Sequence, residues 1–359
     1  MFNFIKTPQF LIFKTQKMLL KTSNIALIVF LSITISSCNT KPMPVVEPDV
    51  ITEQTLHDTD DPAIWINHEN PDQSIVFGTD KDTDGAIYAF DLEGKIIESK
   101  TIRGLKRPNN VDIRQGIQMN DSTSIDIMAF TERENEQIRL FSIPDMRPLD
   151  NGGFPVFQDE TEEEFRLPMG ISLFKSPKDG SLYAIVGRKN GPEQGYLHQF
   201  KVEFTNDKVS LTLVRKFGKY SGKKEIEAIA VDDALGHIYY SDEIFGIRKY
   251  HAEPAMGNEE IKLFGGETFQ RDNEGIAIVA KDGKEGFIVV SNQQAETFNV
   301  FSRSTNQFLK EINLSTKQTD GCDVVAVPLN STFKSGLFVA MNDEKNFYFY
   351  DLDKLGLEE

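Results

Sequence analysis

The sequence predicts an all-β chain folded as a six-bladed β-propeller with four-stranded blades, and three observations carry that prediction. A short motif, a polar or bulky residue followed by a small residue and an apolar strand, recurs six times. A second apolar strand ending in polar residues follows every copy. No segment shows a sustained helical period. A fixed repeat of this length marks a blade, and ring closure leaves only short, protected strand edges.

The six copies are Asp61-Pro62-Ala63-Ile64-Trp65, Asn110-Val111-Asp112-Ile113-Arg114, Met169-Gly170-Ile171-Ser172-Leu173, Glu227-Ala228-Ile229-Ala230-Val231, Glu274-Gly275-Ile276-Ala277-Ile278 and Asp320-Gly321-Cys322-Asp323-Val324. Their lead residues lie 49, 59, 58, 47 and 46 positions apart. Second strands are expected at Ile75–Asp80, Ile125–Thr131, Leu182–Gly187, His237–Ser241, Gly286–Ser291 and Gly336–Met341. Third strands are expected at Ala86–Leu92, Gln137–Ile143, Tyr196–Phe204 and Asn346–Leu352, and outer strands at Lys95–Thr101, Val209–Phe217 and Phe308–Leu314. Asp84-Gly85, Glu93-Gly94, Asp179-Gly180 and Asp282-Gly283 supply the turns. The last unit ends after three strands, so the extended segment Val45 to Leu56 is expected to complete the sixth blade. The 27 Phe residues and Trp65 read as core, because aromatic rings fit pleated surfaces.

Residues 1–37 read as an export signal, with Met18 as an alternative start. Lys21 precedes an apolar run from Ile25 to Ile35, and Ser36-Ser37-Cys38 follows. The run is short for a membrane span. Ile35-Ser36-Ser37-Cys38 has the form of a lipobox, which predicts lipidation at Cys38. Residues 38–55 would then hold the lipidated Cys, a tether with Pro42, Pro44 and Pro48, and the closing strand. Residues 56–359 would form the propeller. The expected location is the bacterial cell envelope, lipid-anchored at the outer membrane (its periplasmic side included) or the cell surface, with the lipid as the sole membrane contact.

Four of the 39 Lys and Arg precede Cys38 and none of the 55 Asp and Glu do, so the remainder carries a net charge of −20. That disfavours nucleic acid as a partner and suits a protein that binds cations. Cys322 stands alone after processing, which excludes a disulfide framework or thiolate metal site within one chain. The propeller needs no partner to fold, and a monomer is expected.

In a propeller, equivalent loops of all blades converge on one end of the central channel, so the repeat reads out the site. The lead positions bring Asp60, Asp61, Asn110, Glu227, Glu274 and Asp320 together, with Asp272 close by. Clustered carboxylates repel unless cations lie between them. Oxygen donors without His or Cys suit a hard cation, and calcium at more than one site is favoured. The ends of the second strands supply Lys81, Arg133, Arg188 and Lys189 from the first three blades, and Asp242 and Glu243 from the fourth. Lys and Arg beside bound cations form an arrangement for phosphate oxygens. The five His residues form no ligand spacing, although His57 lies close to Asp60. The sequence has no Cys-x5-Arg loop, Arg-His-Gly signature, Gly-x-Ser-x-Gly elbow or Walker loop, so no nucleophilic side chain is evident.

The chain resembles the β-propeller phytases over Leu56 to Asp351. Asp60 through Trp65, Asp91 through Lys95, Asn109 through Arg114, Asp272 through Gly275, Asp320 through Asp323 and Gly336 through Ala340 carry the resemblance in that order. It implies a calcium-dependent phosphomonoesterase of the 3-phytase type. Such an enzyme hydrolyses phytate (myo-inositol hexakisphosphate) to lower inositol phosphates and phosphate, by attack of calcium-bound water. It implies several calcium ions held by Asp60, Asp61, Glu227, Glu243, Asp272, Glu274 and Asp320, with Asn110 contributing. Lys81, Arg133 and Lys189 would bind phosphate, and Glu227, Lys81 and Arg133 are expected to carry catalysis. The substrate would enter as its calcium complex. The chain departs from the family pattern at Asp82, Met169 and Ala228, where the family has Lys, Tyr and Gly. The alternatives are a calcium-dependent propeller lactonase or esterase, which does not need the cation ring, and a non-catalytic surface-binding propeller.

Overall fold

The sixfold repeat of apolar strands becomes six antiparallel four-stranded sheets arranged as a propeller in a computed structural model, which describes residues 42–120, 122–205 and 208–357. Blade 1 is Thr59–Trp65, Ile75–Asp80, Gly85–Phe90 and Ile102–Leu105. Blade 2 is Pro108–Asn120, Thr123–Glu132, Gln137–Ile143 and Phe154–Pro155. Blade 3 is Pro168–Lys175, Leu182–Arg188, Gln194–Thr205 and Lys208–Lys219. Blade 4 is Ile229–Asp232, His237–Asp242, Gly246–His251 and Lys262–Phe264. Blade 5 is Asn273–Ala280, Gly286–Asn292, Thr297–Ser302 and Phe308–Ile312. Blade 6 is Cys322–Val325, Leu337–Asn342 and Asn346–Asp351, and its outer strand is Val50–Ile51, where Val50 faces Phe349 and Ile51 faces Tyr348. The N-terminal segment thus closes the ring, as expected. The leader, the lipobox and Cys38 lie outside the described residues.

The core lies between blades. One cluster joins Ala63, Trp65 and Phe77 of blade 1 to Val111, Met128 and Phe130 of blade 2. Each blade buries one face against each neighbour, so its inner strands read as nearly continuous apolar runs. The Trp65 indole N–H donates to Asp126 at 2.7 Å, which satisfies the one polar atom of that ring.

The outer strand of blade 1 is Ile102–Leu105 instead of Lys95–Thr101, because the Asp91–Gly94 turn and a 3-10 turn at Glu98–Lys100 take up the earlier stretch. Four-stranded blades require outer strands in blades 2 and 4 as well, and the structure places them at Phe154–Pro155 and Lys262–Phe264, short segments the sequence did not locate.

Candidate active site

The starts of the inner strands break the ladder. Register slips between Thr59 and Pro62, Pro108 and Val111, Pro168 and Ile171, and Asn273 and Ile276. Such bulges re-aim side chains. Here they free pairs of neighbouring residues from the ladder: Asp60 and Asp61, Asn109 and Asn110, Met169 and Gly170, Glu274 and Gly275. Of the first pair, Asp60 joins a polar cluster at the mouth. Asp61 turns into the channel and accepts the Val111 N–H at 3.1 Å.

The glycines at these starts let neighbouring blades touch at the axis. A Cβ on Gly170 would lie 1.8 Å from the Glu227 carbonyl oxygen, and one on Gly321 would lie 2.6 Å from the Asp60 carbonyl oxygen. No real Cβ approaches backbone that closely, so only glycine fits.

The ends of the second strands follow a three-residue rule. In blades 2, 4 and 5 the first residue contacts the next blade: the Thr131, Ser241 and Ser291 hydroxyls donate to the carbonyls of Met169, Glu274 and Thr319 at 2.6–2.8 Å; in blade 1 Thr79 instead bonds Asp61 of its own blade. The second residue turns back into its own blade and is saturated there. Asp80 accepts the His57 and Asp58 N–H groups at 3.0 and 2.7 Å. Arg188 donates to Glu160 at 2.7 Å and to the carbonyls of Tyr196 and Gly195. Asp242 accepts from the Ser221 N–H and hydroxyl and from Arg248 Nε, at 2.7–2.9 Å. The third residue reaches the mouth, as Lys81, Arg133, Lys189, Glu243 and Gln293 do. Arg188 and Asp242, expected in the site, therefore fall into the blade interior. His57 pairs with Asp80 at 2.9 Å and does not join the cluster.

Asn109 is the hub of the mouth. It is fully buried, and its amide donates to Asp60 at 2.9 Å, to Asn110 at 3.1 Å and to Glu227 across the channel. Its carbonyl oxygen accepts from Arg133. Lys81 pairs with Asp60 and, at 3.5 Å, with Asp320. Gln293 donates to the other oxygen of Asp320. Burial alone would lower the Lys81 ammonium, but Asp60, Glu227 and Asp320 raise it above its ordinary value. Burial works to raise Glu227, yet Lys81, Arg133 and the Asn109 amide outweigh it and hold this carboxyl below its usual range. It stands ionised among cations. Arg133 keeps a buried Nε with no partner among the described residues.

A second group lies beside the first. Oxygens of Glu225, Glu227 and Glu243 lie within 4.8 Å of one another, and so do oxygens of Glu243, Asp272 and Glu274. Oxygens on opposite sides of a calcium ion are separated by about 4.8 Å, twice a ~2.4 Å bond. Among the described residues, buried oxygens of Glu243, Asp272 and Glu274 have no hydrogen-bond partner. Burial pushes Glu243 up to about 8, against the pull of Lys224. Burial and the neighbouring Glu243 and Glu227 push Glu274 well up. Two carboxylates that cost this much to ionise, gathered with Asp272 and with oxygens left over on all three, fit a hard divalent cation. Lys224 and Glu225 were not singled out in the sequence; both precede Glu227 in a connection outside the repeat. Lys224 touches Glu243, Asp272 and Glu274, and Lys189 pairs with Glu225.

Deeper in the channel, a cavity of about 330 Å³ is lined by Asp61, Asp112, Arg114, Asp233 and Asp323, among others. Asp323 accepts the Ile64 N–H at 2.8 Å and Asp112 the Leu173 N–H at 2.7 Å, so these acids stitch adjacent inner strands. Arg114 pairs with Asp112 and Asp233. The third acidic group, Asp159, Glu160 and His198, already holds Arg188 on Glu160 and Lys216 on Asp159.

A phytase family model matches residues 14–348. A 3-phytase of Bacillus subtilis (strain 168) is 26% identical over 301 residues, 79% of this chain and 74% of that protein. Among solved structures, the WD40 β-propeller domain of Doa1 is similar at 13% identity and TM-score 0.47, over 80% of this chain and 77% of that one. The nidogen/laminin complex is similar at 10% identity and TM-score 0.48, over 78% and 94%. The family model spans nearly the whole length over which the repeat and its acidic mouth were traced, and the chain belongs to the phytase family.

Proposed function

We propose that the protein is a calcium-dependent phosphomonoesterase that hydrolyses phytate to lower inositol phosphates and phosphate. One observation supports this most: buried carboxylate oxygens without partners on Glu243, Asp272 and Glu274 adjoin Lys81, Arg133 and Lys189 at one end of the channel. Glu225, Glu227, Glu243, Asp272 and Glu274 would hold calcium, with Asp60, Asp61, Asn110 and Asp320 as further oxygen donors. Bound calcium would neutralise phosphate charge and lower the pKa of water. Lys81 and Arg133 would donate to the phosphoryl oxygens, Lys as a point charge and Arg through its fork. Asn109 fixes Arg133 and Glu227 relative to each other, so the donors are oriented before substrate arrives. Water oxygen bonds to phosphorus, the bond to the inositol oxygen breaks, and that oxygen takes up a proton. The net charge of −20 would repel free phytate, which favours entry as the calcium complex. We further propose that the chain works in the cell envelope, lipidated at Cys38.

A substrate panel tests the reading. Phytate should release phosphate in calcium, lactones should not be opened, and Glu227→Gln should lose release while staying folded. Lactone opening without phosphate release would replace this reading with the lactonase one.

A further inference from the structure

Lys224 lies in the connection between the outer strand of blade 3 and the inner strand of blade 4. Its backbone is held: its carbonyl accepts from the Tyr220 hydroxyl, and nearby Ser221 is fixed by Asp242. Its side chain is 36% exposed, and its ammonium meets three carboxylates, Glu243 at 2.5 Å, Asp272 at 2.9 Å and Glu274 at 3.4 Å. Those carboxylates are 0%, 8% and 3% exposed. One positive charge faces three negative ones. The contact leaves Glu243 Oε1, Asp272 Oδ1 and Glu274 Oε2 with no hydrogen-bond partner among the described residues. An ammonium is a compact charge with no coordination geometry, on a stem of four carbons. It can gather the carboxylates without satisfying all their oxygens, and it has a path to solvent.

We propose that Lys224 is a tethered competitor of the metal ion at the Glu243–Asp272–Glu274 carboxylates. It holds the acidic pocket together in the metal-free protein and leaves as the cation enters. This rests on the calcium reading of the site. The protein would thereby bind calcium at this position more weakly than its ligand set allows, and the metal-free fold would be protected from self-repulsion.

The test is calcium titration by calorimetry on metal-stripped protein, with thermal unfolding in parallel. Three proteins are compared: wild type, Lys224→Met and Glu274→Gln. The wild type should bind calcium, and Glu274→Gln should lose or weaken one site. Lys224→Met should tighten that same site by about tenfold, the equivalent of a few partly exposed ion-pair contacts. It should also unfold at lower temperature in chelator but not in calcium. Lys224→Gln, which removes the charge and keeps hydrogen bonding, should follow Lys224→Met. If Lys224→Met folds only with calcium, its rescue shows the same exchange. Wild-type affinity in both Lys224 variants, with the site still lost in Glu274→Gln, would overturn the competitor and leave the calcium reading standing. No calcium binding by wild type would overturn both.

Discussion

Replacing Lys81 by Met removes the only ion-pair partner that the described residues offer Asp60, and one contact of Asp320. Asp60 is 1% exposed and Asp320 19%. Breaking a buried pair by removing one partner costs about 3–5 kcal/mol, since the remaining charge has no counter-ion. A propeller of about 310 residues unfolds with an entropy of roughly 0.65 kcal/mol/K, so the midpoint should fall by about 5–8 °C in chelator. Calcium should narrow that gap, because it supplies the missing charge. Lys81→Arg should keep most of the stability but not the fit, as Arg needs a fork where Lys needs a point. Phosphate release should fall by about 10²–10³-fold in Lys81→Met, the loss seen when one charge-stabilising donor is removed. Circular dichroism melts with chelator and with calcium, beside a phosphate assay, read all of this. A Lys81→Met midpoint within about 1 °C of wild type in chelator would refute the charge balance argued for the mouth.

Three further outcomes follow from the same geometry. Arg303→Met should destabilise by about 3–5 kcal/mol, because it strands Asp232, whose two oxygens accept from Arg303 at 2.7 and 2.8 Å with both side chains buried; a denaturant melt equal to wild type would contradict it. Gly170→Ala should cost about 1–3 kcal/mol or more and disturb Glu227, since the new methyl would enter the Glu227 carbonyl; unchanged stability and activity together would mean the blades tolerate separation there. Burial, before any neighbouring charge, pushes Glu243 up to about 8, Asp323 to about 7 and Asp320 to about 6. Each takes up protons on folding, so its stabilisation is complete below the ordinary carboxylate range and is lost as pH rises towards 8. The metal-free midpoint should fall between pH 5 and 8, and calcium should stabilise more at pH 8 than at pH 5; a rising metal-free midpoint across that window would contradict the assignment.

The inner and second strands of the blades were legible because burial on both faces makes them apolar runs bounded by polar ends. The outer strands were less so. They are short, half-exposed and free to start where turns leave them, as Ile102–Leu105 and Lys262–Phe264 show. The acids at the lead positions were legible from recurrence alone. Arg188 and Asp242 were placed one residue off, because recurrence marks a dipeptide whereas the pleat sends its two side chains to opposite sides. Strand alternation would have separated them. Asn109 was visible in the doubled Asn109-Asn110 that parallels Asp60-Asp61, but its role depends on a cross-channel contact with Glu227 that no spacing encodes. Lys224 and Glu225 sit in an irregular connection, where a sequence carries no positional signal.

The most direct measurement is phosphate release from phytate by the purified protein, in calcium and in excess chelator. The account predicts release in calcium, loss in chelator and recovery when calcium is restored. Equal release in chelator by folded protein would contradict it.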